Sequence, residues 1–383
     1  MIPYGRQIID EDDIRAVEEV LRSNYLTQGP AVPAFESAIA KHTSATYAIA
    51  VNSATSALHI ACLALDLGAG DVLWTSPITF VASANCARYC GAEVDFVDIA
   101  ADTFNISVDA LELKLADAAK SGRLPKILVT VHMCGQSPDM QRISTLARAY
   151  GVRVIEDASH AIGAEYFSVP VGQCNYSDIT VFSFHPVKII TTAEGGVLTT
   201  NDPNIATKLT LLRSHGITRD ALMMTHEPDG PWYYQQVDLG WNYRMTEMQA
   251  ALGSSQMAKL LPFVARRRML ADIYDDAFAE TSLKIPGRLK GADSSWHLYI
   301  LRLKNAESRR FAFEKLSTEG IGVNVHYIPV HLQPYYRRLG FSQGQFPVAE
   351  DFYNRAISIP LHAGLSDSDQ ERVIKAVLSV SDQ

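Results

Sequence analysis

The chain has 383 residues, a length that suits two domains of unequal size better than one small core. Apolar residues make up 47% and charged residues 20%, the balance of a soluble globular protein. A net charge of −8 argues against nucleic acid and against a polybasic membrane surface as partners.

In chain order, MIPYGRQIIDEDD lacks the basic-then-apolar pattern of a secretory leader. DEDDIRAVEEVLRSN predicts a helix whose acidic first turn suits the positive helix N-terminus. YAIAV reads as a strand and ATSALHIACLALDLG as a helix ending near Gly68; its apolar run is broken by Asp66 and falls short of the roughly 18 residues a membrane span needs. DVLWTS and AEVDFVDI read as short strands, with ITFVASANCARYCG a helix between them. KILVTVHM is a buried strand, MQRISTLARAYG a helix and VRVIED a strand, followed by the strands DITVFSF and GGVLTT. Such alternation predicts an α/β fold with a mostly parallel central sheet. Near residue 255 the texture changes. AKLLPFVARRRMLADIYDDAFAE predicts a long amphipathic helix, and WHLYILRL, the helix RRFAFEKLSTEG and IGVNVHYIP suggest a smaller α+β unit. The expected domains are 1–255 and 256–383. The five cysteines form no CxxC pair and read as small buried hydrophobes of a reducing cytosol, with no metal site; a cytoplasmic location is expected.

Ligands of an open parallel sheet gather at the carboxyl ends of its strands, and three residue groups fall there. NSATSAL (52–58) follows a strand and opens a helix, so it offers either an ordinary N-cap or an anion cup of backbone N–H groups and hydroxyls. In VIEDASH, Asp157 ends a strand, as a crevice carboxylate or a helix cap, and His160 is a ligand or a core histidine. In SFHPVKIITTAEGGVLTT, Ser183 ends a strand and Lys188 follows in an apolar loop. Desolvation there would lower its pKa and make it a nucleophile, whereas a solvated lysine would be a point charge. Taken together, a phosphate cup, a strand-end carboxylate and a desolvated lysine are the three handles of pyridoxal 5′-phosphate. Phe80, in ITFVA, could cover the ring face. A phosphate-binding kinase is the rival, but neither GxxxxGK[ST] nor GxGxxG is present.

The ordered motifs NSATSAL, PITFVASAN, EDASHAIGA, SFHPVKIITTAEGG and GWNYRMTEMQAALG resemble the DegT/DnrJ/EryC1/StrS nucleotide-sugar aminotransferases along essentially the whole chain. The resemblance implies a fold-type-I pyridoxal-phosphate enzyme with a smaller C-terminal domain, glutamate as amino donor and a homodimer sharing its active sites. It implies that Lys188 binds the cofactor aldehyde, Asp157 pairs with the pyridine nitrogen, His160 lies near the ring hydroxyl and Phe80 stacks on the ring. Ala54, Thr55 and Ser183 would hold the phosphate, and Asn242 would reach the phosphate of the partner subunit's cofactor. HPVKIITTAEGG and PWYYQQVDLGWNYRM resemble the subgroup that aminates C4 of a UDP-linked 4-keto-6-deoxy-N-acetyl sugar on the way to pseudaminic acid. Its substrate contacts map onto Tyr4, Leu26, Thr27, Gln28, Gly29, Ser56, His326 and Tyr327. Relatives that dehydrate the sugar carry histidine where Lys188 stands, so transamination is expected. The alternatives are another UDP- or dTDP-linked 4-keto sugar and a non-catalytic regulator that binds the cofactor.

Overall fold

The computed structural model describes residues 1–381. Its centre is a seven-stranded sheet of β1 (Tyr47–Val51), β2 (Val72–Thr75), β3 (Glu93–Phe96), β4 (Ile127–Val131), β5 (Arg153–Asp157), β6 (Ile179–Ser183) and β7 (Gly196–Thr200). The spatial order is β1-β7-β6-β5-β4-β2-β3. The pairs β2–β3, β2–β4, β4–β5 and β5–β6 are parallel, while β7 runs antiparallel to both β6 and β1. All five residues of β4, β6 and β7 are buried, which is why they read as continuous apolar runs instead of alternating ones.

Helices cover the sheet. α1 (Glu11–Arg22) has a capping box at Asp10 and Asp13, and the expected acidic first turn. α2 (Ala31–Thr43) and α3 (Ala54–Ala64) flank β1. α3 is apolar on nearly every side and almost wholly buried, as a helix sandwiched in a core must be. α4 (Ala82–Tyr89) begins later than ITFVASANCARYCG suggested. The Ser76 hydroxyl accepts the Ile78 N–H at 3.2 Å, a local turn that keeps this stretch out of the helix and leaves Phe80 in the loop before it. α5 (Val108–Ser121) and α6 (Met140–Ala149) complete the crossovers, and α7 (Pro203–Leu212) follows β7. All five cysteines are unpaired, three of them buried.

α2 starts behind Pro30 and makes no side-chain cap of its own. Glu247, at the start of α8 (Glu247–Met257), supplies one: its carboxylate accepts the N–H groups of Ala31 at 2.6 Å and Val32 at 3.3 Å. The side chain is buried, so its loss would leave both donors without a partner. Glu247→Ala is expected to cost ~1–3 kcal/mol. Thermal melting should show a drop of several degrees, and an unchanged melting temperature would remove Glu247 from this account.

The long helix expected at 258–280 is α9, Leu260–Phe278, which buries Leu260, Val264, Arg267, Leu270, Tyr274 and Phe278 at helical spacing. Beyond it, strands Tyr299–Arg302 and Ala356–Ile359 pair antiparallel. Helices Ala306–Thr318, Pro347–Arg355 and Asp367–Leu378 surround them. IGVNVHYIP forms no strand and makes only the single bridges Ile2–Ile321 and Asn324–Ser358. One core gathers side chains from Leu270 to Val380, and Ile2 joins it from the other end of the chain. Ile2 donates to the Gly320 carbonyl at 2.8 Å, Gly322 donates to the Ile2 carbonyl at 2.7 Å, and Leu361 donates to the Tyr4 carbonyl at 3.0 Å.

Candidate active site

A cavity of about 640 Å³ opens at the carboxyl ends of β4, β5 and β6. Its wall includes Tyr4, Ala54, Thr55, Phe80, Asp157, His160, Ser183, Lys188, His326 and Tyr327, so ten of the residues singled out from sequence meet in one place. Three neighbourhoods build it.

The first is the start of α3. Ser53 is the N-cap, and its hydroxyl accepts the Ser56 N–H at 3.1 Å. The helix therefore begins at Ala54, and Ser53, Ala54 and Thr55 line the cavity, where the free N–H groups of a first turn favour an anion. Gly196, the first residue of β7, fits behind this turn: a Cβ there would lie 2.6 Å from the Ser53 carbonyl carbon and 2.7 Å from the Ala54 nitrogen. Only glycine lets the backbone approach that closely. Ser183, paired in register with Gly196, ends β6 on the same wall.

The second is the end of β5. Asp157 is buried, 6% exposed. Its Oδ2 accepts from the Ser83 hydroxyl at 2.6 Å, and its Oδ1 accepts from the Ser159 hydroxyl at 2.6 Å and the Ser159 N–H at 3.2 Å. A carboxylate so placed is held by neutral donors, with Lys188 the cation that acts on it across the cavity.

The third is Lys188 in the loop between β6 and β7, half-buried on the cavity wall. Burial pushes its ammonium down to about 8, against the upward pull of the Asp157 carboxylate. At pH 7 roughly a tenth of this lysine is therefore a free amine, several hundredfold more than for an ordinary lysine. The imidazoles around it are neutral for the same reason. Burial, then the charge on Lys188, holds His160 well below its ordinary value and His326 at about 4. The His160 Nε2 lies 3.3 Å from the Tyr327 hydroxyl, while its Nδ1 is buried without a partner. Phe80 is 58% exposed over the cavity, with its ring 6.4 Å from that of Tyr327.

Other expected contacts lie elsewhere. Ser56 turns its hydroxyl to Asn52 at 2.7 Å and Ser53 at 2.9 Å, and is off the cavity wall. Leu26, Thr27, Gln28 and Gly29 join α1 to α2 beside Glu247 and do not line this chain's cavity. Asn242 is exposed, bridged to Ser214, and also outside the wall. Sequence reasoning passed over Thr79, Ser83, Ser159, His297 and Asn324. Ser159 sits inside VIEDASH, and Thr79 and Ser83 flank Phe80, so proximity to a motif was their only signal. His297 had none: it comes from the second unit, its ring 4.4 Å from that of His160 and its Nδ1 buried without a partner.

The residues present fit pyridoxal phosphate. An amine-poised lysine, a strand-end carboxylate, an anion cup closed by Gly196 and unpartnered imidazole nitrogens surround one cavity of ligand size. At the carboxyl edge of this sheet order, that set defines a fold-type-I pyridoxal-phosphate enzyme. A profile of the DegT/DnrJ/EryC1/StrS aminotransferase family matches residues 7–378, and the chain belongs to that family. It is a pyridoxal-phosphate-dependent sugar aminotransferase. UDP-4-amino-4,6-dideoxy-N-acetyl-beta-L-altrosamine transaminase of Campylobacter jejuni is 38% identical over 386 residues, covering 99% of this chain and 97% of that one. The spore coat polysaccharide biosynthesis protein SpsC of Bacillus subtilis is 37% identical over 389 residues, with the same coverage of 99% and 97%. Among solved structures, Helicobacter pylori PseC, an aminotransferase involved in the biosynthesis of pseudoaminic acid, superposes with a TM-score of 0.90 at 32% identity, covering 100% of this chain and 99% of that one. The PMP form of the putative sugar aminotransferase Spr1654 from Streptococcus pneumoniae gives 0.92 at 31% identity, also covering 100% and 99%.

Proposed function

We propose that this enzyme aminates the C4 ketone of UDP-2-acetamido-2,6-dideoxy-β-L-arabino-hex-4-ulose, with glutamate as donor, in the route to pseudaminic acid. The observation that carries this reading is the amine-poised Lys188 facing Asp157 in a cavity walled by Tyr4, His326 and Tyr327. The similarity to the C. jejuni transaminase over nearly its whole length supports the sugar. The enzyme works in the cytoplasm as a homodimer, in which the exposed Asn242 and the Leu26–Gly29 segment reach the partner's cavity. The domains divide at 255/256, next to the end of α8 at Met257.

Bound pyridoxal phosphate supplies an aldehyde that captures amines and a protonated ring that accepts the electrons released when a proton leaves carbon. The protein does the rest. The first N–H groups of α3, with Thr55 and Ser183, would bind the phosphate. Phe80 would cover the ring face, and His160 would stand by the ring hydroxyl. Asp157 would hold the proton on the pyridine nitrogen. The Lys188 Nζ takes the α-proton of glutamate, and in the second half-reaction it delivers a proton to C4 of the sugar.

A second reading, another nucleotide-linked 4-keto-6-deoxy sugar, is supported by the comparable similarity, 37% against 38% identity, to the spore coat polysaccharide biosynthesis protein SpsC. The two separate when the holoenzyme and glutamate are given the β-L-arabino sugar or UDP-4-keto-6-deoxy-GlcNAc, its C5 epimer. The expected result is a kcat/KM at least about tenfold higher for the former, worth about 1.4 kcal/mol of discrimination. The reverse preference overturns the sugar assignment. Turnover of neither, with a dTDP-4-keto-hexose accepted, moves the enzyme to another pathway.

A further inference from the structure

Asp157 receives hydrogen bonds from two directions. Ser159 lies two residues away in the same turn and moves with it. Ser83 comes from the first turn of α4, 74 residues earlier in the chain, and is wholly buried. Its hydroxyl also lies 3.3 Å from the Phe80 carbonyl, but the 2.6 Å contact with Asp157 Oδ2 is the length of an O–H···O⁻ bond and takes the proton. That settles the next link. Thr79 Oγ1 lies 2.7 Å from Ser83 Oγ, and with the Ser83 proton committed, Thr79 must be the donor. Thr79 is 3% exposed, so water does not replace either bond.

The result is a directed relay, Thr79 to Ser83 to Asp157. Each donor polarises the next, and the chain ends on a buried carboxylate. The carboxylate is thereby held in one rotamer, because rotating it breaks the Ser83 bond.

We propose that Ser83 is a positioning residue for the reaction: fed by Thr79, it fixes the orientation of Asp157, so that the carboxylate rather than bulk water meets the cofactor's ring nitrogen. This rests on the reading of Asp157 given above.

The test compares the holoenzyme with Ser83→Ala, Thr79→Val, the double variant and Asp157→Asn. Three quantities are read: the ratio of the bound cofactor's protonated and unprotonated absorption bands, the pyridoxal phosphate dissociation constant of each apoenzyme, and kcat and KM of the glutamate half-reaction. A lost hydrogen bond to a charged group predicts a fall of about tenfold to a hundredfold in kcat for Ser83→Ala. Its KM should stay within about twofold, since glutamate binding is not touched. The band ratio should shift the same way as in Asp157→Asn. Thr79→Val keeps the shape and removes only the donor, so its effect is smaller. In a serial relay the double variant matches Ser83→Ala, whereas independent roles would multiply.

An unaltered spectrum and kcat in Ser83→Ala, beside a crippled Asp157→Asn, overturn the proposal and leave the Asp157 reading standing. A wild-type Asp157→Asn overturns both. Multiplying effects in the double variant overturn the relay. Should Ser83→Ala melt far below the wild type, Thr79→Val decides alone: wild-type spectrum, affinity and kcat there refute the relay.

Discussion

Lys188→Ala is expected to lower transamination by about 10⁴-fold or more, since on the proposed assignment the variant loses both the amine that captures the cofactor and the base that moves the α-proton. The protein should still bind pyridoxal phosphate, because the cup at Ala54 and Thr55, Ser183 and the Asp157 carboxylate all remain. The bound cofactor should then be removable by dialysis, without the absorption of a lysine-linked species. The depressed pKa adds a signature in the native enzyme. Capture of pyridoxal phosphate by the apoenzyme needs the neutral amine, so its rate should rise with pH up to about 8 and then level. An ordinary lysine would keep gaining to about 10.4. Stopped-flow absorbance reads this directly. Turnover retained in Lys188→Ala would sink the assignment of the lysine, and a rate still climbing well above pH 8 would mean that the loop does not desolvate it.

Asp157→Asn is expected to cost about a hundredfold or more in kcat, with the protein folded and its phosphate cup intact. The amide is nearly the same shape as the carboxylate: its one oxygen can still accept from Ser159, while its nitrogen faces Ser83, whose oxygen can accept instead. What it lacks is the negative charge proposed to keep a proton on the ring nitrogen. The loss should appear in both half-reactions, because both release electrons into the same ring. Single-turnover kinetics with glutamate alone, then with the keto sugar alone, separate them. A rate close to wild type in either half-reaction would refute the role given to Asp157.

Much of the fold could be read from the chain because its sheet is buried on both faces. Strands such as ILVTV and GVLTT have no exposed side and carry no charge, so they stand out as short runs of apolar residues and threonine. The direction of β7 could not be read that way: a strand buried on both faces has the same composition whichever way it runs. α2 was hidden for a different reason. Its start signal, Glu247, lies 216 residues away in sequence. α5 carried the usual punctuation, Ser107 before it and Gly122 in the left-handed conformation after it, and was legible though no element was assigned there. In the site, residues whose type and setting suggest chemistry were found, while Thr79, Ser83 and Ser159, though inside PITFVASAN and VIEDASH, were passed over, as was His297. Asp157 ends a strand, Thr55 lies in the first turn of a helix and Lys188 is a lone ammonium in an apolar loop, so place or setting alone suggests a role. His297 and Ser83 reach the site through packing of separate elements, and a histidine in WHLY or a serine in VASAN has no spacing that marks it.

The first residues of the chain have a bearing on how the enzyme is made. All seven strands of the sheet, with Asp157 and Lys188, lie before residue 201. Tyr4 stands on the same cavity wall, yet its carbonyl is bonded by Leu361, and Ile2 is pinned between Gly320 and Gly322. At typical synthesis rates, those partners leave the ribosome on the order of tens of seconds after Tyr4 itself. The nascent protein can thus assemble its lysine and carboxylate while the amino-terminal wall is still missing. Ile2 and Tyr4 are translated long before the partners that hold them, and a ribosome that stops short of Leu361 releases a chain with Lys188 and Asp157 present and one side of its cavity open.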